Sequence, residues 1–455
     1  MRQENAKNIE IFNPATNELI RSIPRDSKES IQRKFEGAGN AQKKWAQVPF
    51  EKKKKAVEKF KKLLIKNRER LAQTLTAEVG KPISQSRNEI NGTIPRLDFF
   101  LKNTKGVLKE TRISKHEKLT WEPLGVVANI SAWNYPYFVG TNVFIPALMT
   151  GNAVLYKPSE FSTLTGMEIS NLLIESGIPK DIFVPVMGGR EVGADLLNLP
   201  LNGVFFTGSY PTGLVIAQAA AKQLMKVQLE LGGKDPVYIC EDVDPKNSAQ
   251  ATADGAMYNT GQSCCSVERI YVHQKIYDKF VKEFVDFVKT FKVGDPTSDE
   301  TYIGPLTRKQ QITILEDQIT DATKKGATIS IGGSRLSGEG NYFQPTVLLN
   351  VTNQMKIMRE ESFGPVIGIM KVKNDDEAIQ LMNDTEYGLT SAVYTKNKKR
   401  AEKIMRDLNS GSVYWNCCDR VRPYLPWSGR KQSGIGSTLG NIGIQTFLQP
   451  KAWHG

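Results

Sequence analysis

The run Val126-Val127-Ala128-Asn129-Ile130 opens a stretch in which short apolar, β-rich segments alternate with helix-forming ones, and that alternation decides the fold class. Residues 126–130, 153–156, 182–186 and 204–206 are strand-length apolar runs, as expected of strands covered on both faces of a parallel sheet. Between them, residues 165–176 read as a helix stopped by Gly177 and Pro179, and residues 211–222 as an alanine-rich helix. Successive strand and helix units of this kind predict an α/β fold. A second alternating series begins with residues 237–240, after Gly232-Gly233, a pair suited to a hinge. There Asp244-Pro245 has the form of an N-cap followed by a first-turn proline, and Tyr277, Val281, Phe284 and Val288 share one helix face. Two Rossmann-type α/β domains are therefore expected.

At 455 residues the chain is too long for one ordinary core. Its apolar runs fall short of the roughly 18–20 residues of a membrane span, and the polar opening Met1-Arg2-Gln3-Glu4-Asn5 lacks the centre of a signal peptide. A cytoplasmic address without a membrane partner is the expectation. The net charge of +13 raises nucleic acid as a partner, but the cations are scattered. The one dense run, Lys52 to Lys55 with Lys59, Lys61 and Lys62, lies opposite an apolar stripe of Val57, Phe60, Leu64, Leu71 and Leu75 and reads as a solvated helix face. No nucleic-acid partner is expected. The first hundred residues read as two helices and a further apolar segment near Leu97, and residues 107–121 as a polar excursion. The five cysteines, Cys240, Cys264, Cys265, Cys417 and Cys418, form two adjacent pairs and one single. That pattern fits neither a disulfide framework nor C-x2-C metal ligation, so reduced thiols and no metal are expected.

Chemistry concentrates in two motifs. Gly261-Gln262-Ser263-Cys264-Cys265 supplies a thiol and Leu229-Glu230-Leu231-Gly232-Gly233-Lys234 a carboxylate. A thiolate can attack an aldehyde carbon, the adduct can expel hydride, and a carboxylate can activate the water that cleaves the resulting thioester. Each residue also has a structural reading: small buried thiols and a glutamate capping a helix. Three further motifs end predicted strands. Asn134, in Ala132-Trp133-Asn134-Tyr135-Pro136, offers an amide to an oxyanion, or only a turn. Lys157 and Glu160, in Lys157-Pro158-Ser159-Glu160, can hold ribose oxygens, or pair with each other on a loop. Phe206-Thr207-Gly208-Ser209 places a glycine turn where helix amides meet a pyrophosphate, although it lacks the G-x-G-x-x-G spacing and fits a plain tight turn equally well.

Taken in order, with Glu360-Glu361-Ser362-Phe363-Gly364-Pro365 and Arg269, these motifs resemble those of the aldehyde dehydrogenase superfamily, from Asn13-Pro14-Ala15-Thr16 to Lys431-Gln432-Ser433-Gly434. The resemblance implies a hydrolytic, NAD(P)-dependent enzyme acting on a small-molecule aldehyde, with NAD as acceptor and NADP as a second one. It implies Cys264 as nucleophile, Glu230 as base, and Asn134 with the Cys264 amide as oxyanion hole. Trp133, Lys157, Ser159, Glu160, Gly208, Ser209, Glu361 and Phe363 would hold the dinucleotide. The implied aldehyde pocket is Tyr135, Phe138, Ser263, Cys265, Val421 and Trp427. The implied parts are a dinucleotide-binding domain (1–105 and 125–232), a catalytic domain (233–430) and a small bridging oligomerisation element (106–124 and 431–455), giving a homodimer or homotetramer.

Two departures stand out: Val143 and Thr438 occupy places where many relatives carry a lysine and a glutamate that assist proton flow from the base. Ala132 also replaces the usual proline before Trp133. The aromatic, weakly polar pocket suits medium-chain or aromatic aldehydes, so benzaldehyde or hexanal is expected to outperform betaine aldehyde and succinic semialdehyde. Asn142 and Val421 stand where betaine aldehyde relatives carry rings. Two alternatives remain: a semialdehyde dehydrogenase, in which Arg420 or Arg422 holds a carboxylate, and an acylating enzyme that uses coenzyme A, against which the presence of Glu230 weighs.

Overall fold

The computed structural model describes residues 7–455; Met1 to Asn5 lie outside the described residues. The first large sheet has six strands in the order Gly434–Ile435, Lys226–Glu230, Gly203–Thr207, Val126–Ile130, Ala153–Lys157 and Phe183–Pro185. All neighbours run parallel except the first, and Val126–Ile130, Ala153–Lys157 and Gly203–Thr207 are buried at every residue, which is why they read as unbroken apolar runs. The chain leaves Val126–Ile130 toward one edge of the sheet and returns on its other side at Gly203–Thr207. The reversal opens a crevice beyond the carboxyl ends of these two strands, the place where doubly wound sheets bind ligands.

A second sheet of seven strands follows, ordered Thr328–Ile331, Thr346–Leu349, Val366–Val372, Val267–His273, Asp235–Ile239, Thr390–Tyr394 and Ser412–Trp415. Only its edge strand Thr328–Ile331 is antiparallel. Asp244 caps the helix Pro245–Met257 by accepting from the Lys246 amide, as its sequence predicts. A small three-stranded sheet joins Leu448–His454, Glu117–Pro123 and Thr111–Arg112.

Three features depart from the sequence reading. The first hundred residues hold a hairpin, Asn8–Phe12 with Leu19–Pro24, and four helices, Lys28–Gln47, Phe50–Lys66, Arg68–Val79 and Ile83–Val107. The apolar stripe is thus broken: Val57, Phe60 and Leu64 lie on one helix, Leu71 and Leu75 on the next. Asn67 divides them, its side chain donating to Leu63 O (2.9 Å) while its carbonyl accepts from Leu71 N (3.0 Å). Next, residues 431–455 do not belong wholly to the small sheet. Gly434–Ile435 first pairs with Leu229 and Glu230, and only Leu448–His454 reaches the bridging sheet. Gly434 makes that approach with φ +147° and no Cβ, which would collide with Leu229 O.

The third departure is Lys53. It is buried rather than solvated, with its Nζ 3.4 Å from Ala46 O and 5.8 Å from the centre of the Trp45 ring, and burial lowers its pKa to about 8. Folding thus favours the neutral amine, so the penalty is complete below about pH 8 and is relieved as pH rises toward the ordinary lysine value. Lys53→Met is expected to stabilise the protein at pH 7 by about 1–2 kcal/mol in denaturant unfolding, allowing for partial screening. The gain should shrink at pH 10; an equal gain at both pH values would assign it to packing alone.

Candidate active site

Four motifs emerge from the carboxyl ends of adjacent parallel strands. Trp133-Asn134 follows Val126–Ile130, Lys157 ends Ala153–Lys157, Gly208-Ser209 follows Gly203–Thr207, and Glu230 ends Lys226–Glu230. Lys157 is buried, with its Nζ 3.4 Å from Pro158 O and 3.9 Å from Glu160 Oε2, and Ser159 Oγ lies 3.5 Å from the same oxygen. Ser209 precedes the helix Tyr210–Lys222 but spends its hydroxyl on Thr212 Oγ1 (3.1 Å) instead of capping an amide. The first-turn amides are therefore left for an anion, and the Thr207 hydroxyl beside them is buried without a partner. An uncapped helix end, a buried cation and an orphan hydroxyl at a switch point are a donor set that fits a dinucleotide.

Aromatic rings continue this edge. Trp133 meets Phe363 edge to face at 5.5 Å and Phe161 at 6.3 Å. Phe363 adopts φ +47°, held by Glu268, whose carboxylate accepts from Ser362 N (2.8 Å) and Phe363 N (3.0 Å) while pairing with buried Lys234 at 2.5 Å. Glu361 accepts from Gly233 N (3.0 Å), and burial raises its pKa to about 8.

Cys264 lies on the turn entering Val267–His273, the central strand of the second sheet. The turn is tightly fixed. Asn259, Thr260 and Gly261 all have φ between +55° and +68°, and Thr260 is braced by hydrogen bonds with Gly304. Gln262 receives Thr307 N on its side-chain oxygen (2.9 Å), while its backbone carbonyl accepts from Asn259 Nδ2 (2.9 Å) and Asn134 Nδ2 (3.1 Å). Asn134 thus reaches across from the first sheet to the cysteine turn. Of the two thiols, Cys264 is half-buried, whereas Cys265 is buried and donates to Asp419 Oδ1 (3.0 Å). Its hydrogen bond with Cys264, burial and Asp419 hold Cys265 well above the usual thiol pKa, so it remains protonated.

Glu230 is buried, and desolvation raises its pKa to about 7 despite hydrogen bonds from Thr438 Oγ1 and Gln228 Nε2 (3.3 Å) and the positive charge of Arg96. Thr438 is positioned through Trp427: the two residues exchange backbone hydrogen bonds of 2.7 and 2.9 Å. The hydroxyl at this departure from the relatives therefore touches the carboxylate directly. Val143, the other departure, is an apolar core residue on the helix Pro136–Met149.

Tyr135 and Phe138 stack at 5.6 Å and 4°, and Val421 and Trp427 join Cys264 and Cys265 in one apolar cluster; Ser263 Oγ lies 3.5 Å from Cys265 Sγ. Asn142 is buried nearby in the same helix as Phe138. Arg420 and Arg422 are exposed, so neither is the pocket cation that the semialdehyde alternative calls for. Sequence reasoning missed Lys81, Glu89, Glu268 and Arg96. Lys81 pairs with Glu89, donates to Asn134 O (2.6 Å) and lies 3.8 Å over the Tyr135 ring. The only available signal was a charged residue within otherwise apolar helical spacing, as at Glu89 and Arg96.

A doubly wound sheet with an anion-ready switch point, facing a thiol, an amide and a buried carboxylate, defines a dinucleotide-dependent dehydrogenase. The aldehyde dehydrogenase family profile matches residues 1–453, and the chain belongs to that family. It is similar to 3,6-anhydro-alpha-L-galactose dehydrogenase of Vibrio sp. (strain EJY3), with 32% identity over 99% of this chain and 96% of that protein. The chloroplastic betaine aldehyde dehydrogenase of Beta vulgaris is 33% identical over 97% and 92% of the two chains. Among solved structures, 3,6-anhydro-L-galactose dehydrogenase in complex with NADP superposes with TM-score 0.95 at 32% identity, covering 99% of this chain and 97% of that one. The Staphylococcus aureus betaine aldehyde dehydrogenase complex with NAD+ does so with TM-score 0.94 at 32% identity, covering 99% and 92%. The chain is an NAD(P)-dependent aldehyde dehydrogenase. Among the described residues, no helix is long and apolar enough to cross a membrane, and no cluster of side chains suits a metal ion.

With Glu230 as the expected base, a pKa of about 7 makes turnover rise with pH through neutrality. Thr438→Val removes a donor that favours the carboxylate, so the midpoint of the kcat–pH profile is expected to rise by about one unit. An unchanged midpoint would show that another group controls turnover.

Proposed function

We propose that the chain converts an aldehyde to its carboxylate through a thioester on Cys264, with Glu230 as the hydrolytic base. The thiolate of Cys264 adds to the carbonyl carbon while Asn134 Nδ2 and the Cys264 amide stabilise the oxyanion. A bound nicotinamide supplies the hydride acceptor. Glu230 then takes a proton from water, which attacks the thioester and releases the acid and the thiolate. The observation that supports this reading best is the reach of Asn134 to Gln262 O, which brings an oxyanion donor from one sheet to the cysteine turn of the other.

Lys157, Ser159 and Glu160 are assigned to the adenosine ribose, Gly208 and Ser209 to the pyrophosphate, and Trp133, Glu361 and Phe363 to the nicotinamide end. The carboxylate of Glu160 favours NAD, since it repels a 2′-phosphate, with NADP as a weaker acceptor. Tyr135, Phe138, Ser263, Cys265, Val421 and Trp427 line the aldehyde site and suit a medium-chain or aromatic body. Exposed Ile113, just past the strand Thr111–Arg112, and exposed Trp453 on Leu448–His454 support homo-oligomerisation through that element, and five free cysteines fit a reducing compartment such as the cytoplasm.

Cys264→Ala is expected to abolish activity and Cys265→Ala to retain most of it; substantial turnover by the first variant overturns the assignment. Glu230→Gln should still give a single-turnover burst of NADH followed by slow release of acid. Loss of the burst would place Glu230 in thiol activation instead, and acceleration by coenzyme A would favour an acylating enzyme.

A further inference from the structure

We propose that Arg96 recognises an anionic group at the far end of the aldehyde, so that the preferred substrates carry a carboxylate as well as the reacting carbonyl. The proposal rests on the reading of Cys264 as nucleophile and concerns the opposite end of the same pocket.

Arg96 sits on the helix Ile83–Val107, immediately after Pro95, and is only 6% exposed. Its guanidinium folds back along the helix, where Nη1 donates to Gly92 O (2.8 Å), and its Cζ lies 3.9 Å from the centre of the Phe138 ring. Gly92 makes this arrangement possible, because a Cβ there would stand 2.7 Å from Phe138. Phe138 in turn stacks on Tyr135, so the cation terminates the aromatic wall that leads to the thiols. The loop carrying Val421 and Trp427 closes on the same helix, where Tyr424 meets Phe99 at 5.3 Å.

What sets Arg96 apart is the lack of an anionic partner. Its Nε is buried without a hydrogen bond, and among the described residues no carboxylate lies within ion-pair distance of it. The carboxylates that act on it from a distance are those of Glu89 and Glu230. Glu89 is already engaged by Lys81 and by the Tyr137 amide (2.8 Å), and Glu230 by Thr438 and Gln228. Asp419, on the opposite loop, accepts from Cys265. Burial lowers the Arg96 pKa to about 10, which still leaves a cation at neutral pH. A desolvated guanidinium is costly to keep unpaired, and its planar fork matches the two oxygens of a carboxylate. A carboxylate at the end of a chain or ring lying along Tyr135 and Phe138 would complete it. This revises the expectation that neutral benzaldehyde and hexanal lead, which followed from a pocket without a cation.

The test compares matched pairs: 4-carboxybenzaldehyde with benzaldehyde, and 6-oxohexanoate with hexanal, by NADH formation. Wild-type kcat/KM is expected to favour the acid of each pair by roughly 10- to 100-fold, as a charge-assisted hydrogen-bonded pair provides. Arg96→Gln should bring the ratio to about one or below, and Arg96→Lys should keep part of it. The ratio within each variant is the readout, since a packing defect lowers both members alike. A wild-type ratio near one, or an equal loss on both members in Arg96→Gln, overturns the role of Arg96. If Arg96→Gln does not fold, Arg96→Lys and competition of terephthalate against hexanal in the wild type decide the matter, and absence of competition counts against the proposal. Failure to oxidise any of the four aldehydes would instead strike the reading of Cys264.

Discussion

The ion pair between Lys81 and Glu89 holds the site in register. Both side chains are fully buried, and removing either one would leave the other as an uncompensated charge, a loss of about 3–5 kcal/mol. The pair is tied down on both sides. Lys81 donates to Asn134 O (2.6 Å) under the Tyr135 ring, and Glu89 accepts from Tyr137 N (2.8 Å) in the first turn of the helix Pro136–Met149. A carboxylate at a helix N-terminus is also favoured by the helix dipole. The backbone around Asn134 is consequently clamped, and its side-chain amide has little choice but to point toward the carbonyl of Gln262.

The same construction recurs across the crevice. Lys234 and Glu268 form a second buried pair, and the carboxylate of Glu268 gathers the amides of Ser362 and Phe363. That turn presents Phe363 with positive φ, a conformation that costs on the order of 1 kcal/mol for a non-glycine residue and needs such support. Phe363 then meets Trp133, next to Asn134. Two ion pairs, one at the helix Ile83–Val107 and one at the second sheet, therefore converge on neighbouring residues of one loop, which couples the proposed dinucleotide side to the proposed oxyanion side.

Val126–Ile130, Ala153–Lys157, Phe183–Pro185, Gly203–Thr207 and Asp235–Ile239 were legible because burial on two faces demands apolar runs, and in the first sheet the functional loops follow those runs directly. The amino-terminal helices were harder to separate, since Asn67 breaks a stripe whose periodicity continues past it. Lys53 resembled its solvated neighbours because burial at that place comes from Trp45 and the packing around it. The pairing of Gly434–Ile435 with Leu229 and Glu230 left no local mark, and neither did the hydrogen bond from Thr438 to a carboxylate 208 residues away. The supporting charges, Lys81, Glu89, Glu268 and Arg96, were missed for a related reason: a charged residue shows its partner, or the lack of one, only once the chain is folded.

Pairing also separates two kinds of buried charge. Lys81 with Glu89 and Lys234 with Glu268 are matched within the protein, so their positions are fixed and their charges largely cancel. Glu230 has hydrogen-bond donors but no cation in contact, and its pKa stands near 7, where it can exchange a proton with water. Arg96 has a carbonyl and an aromatic face but no carboxylate in contact. A direct salt bridge between these two would relieve both desolvation penalties, yet it would lower the pKa of Glu230 and fill the guanidinium. Keeping them apart leaves one charge for the proton transfer proposed for Glu230 and the other for the proposed ligand, with a desolvation cost that, unlike that of the two matched pairs, no mutual attraction offsets.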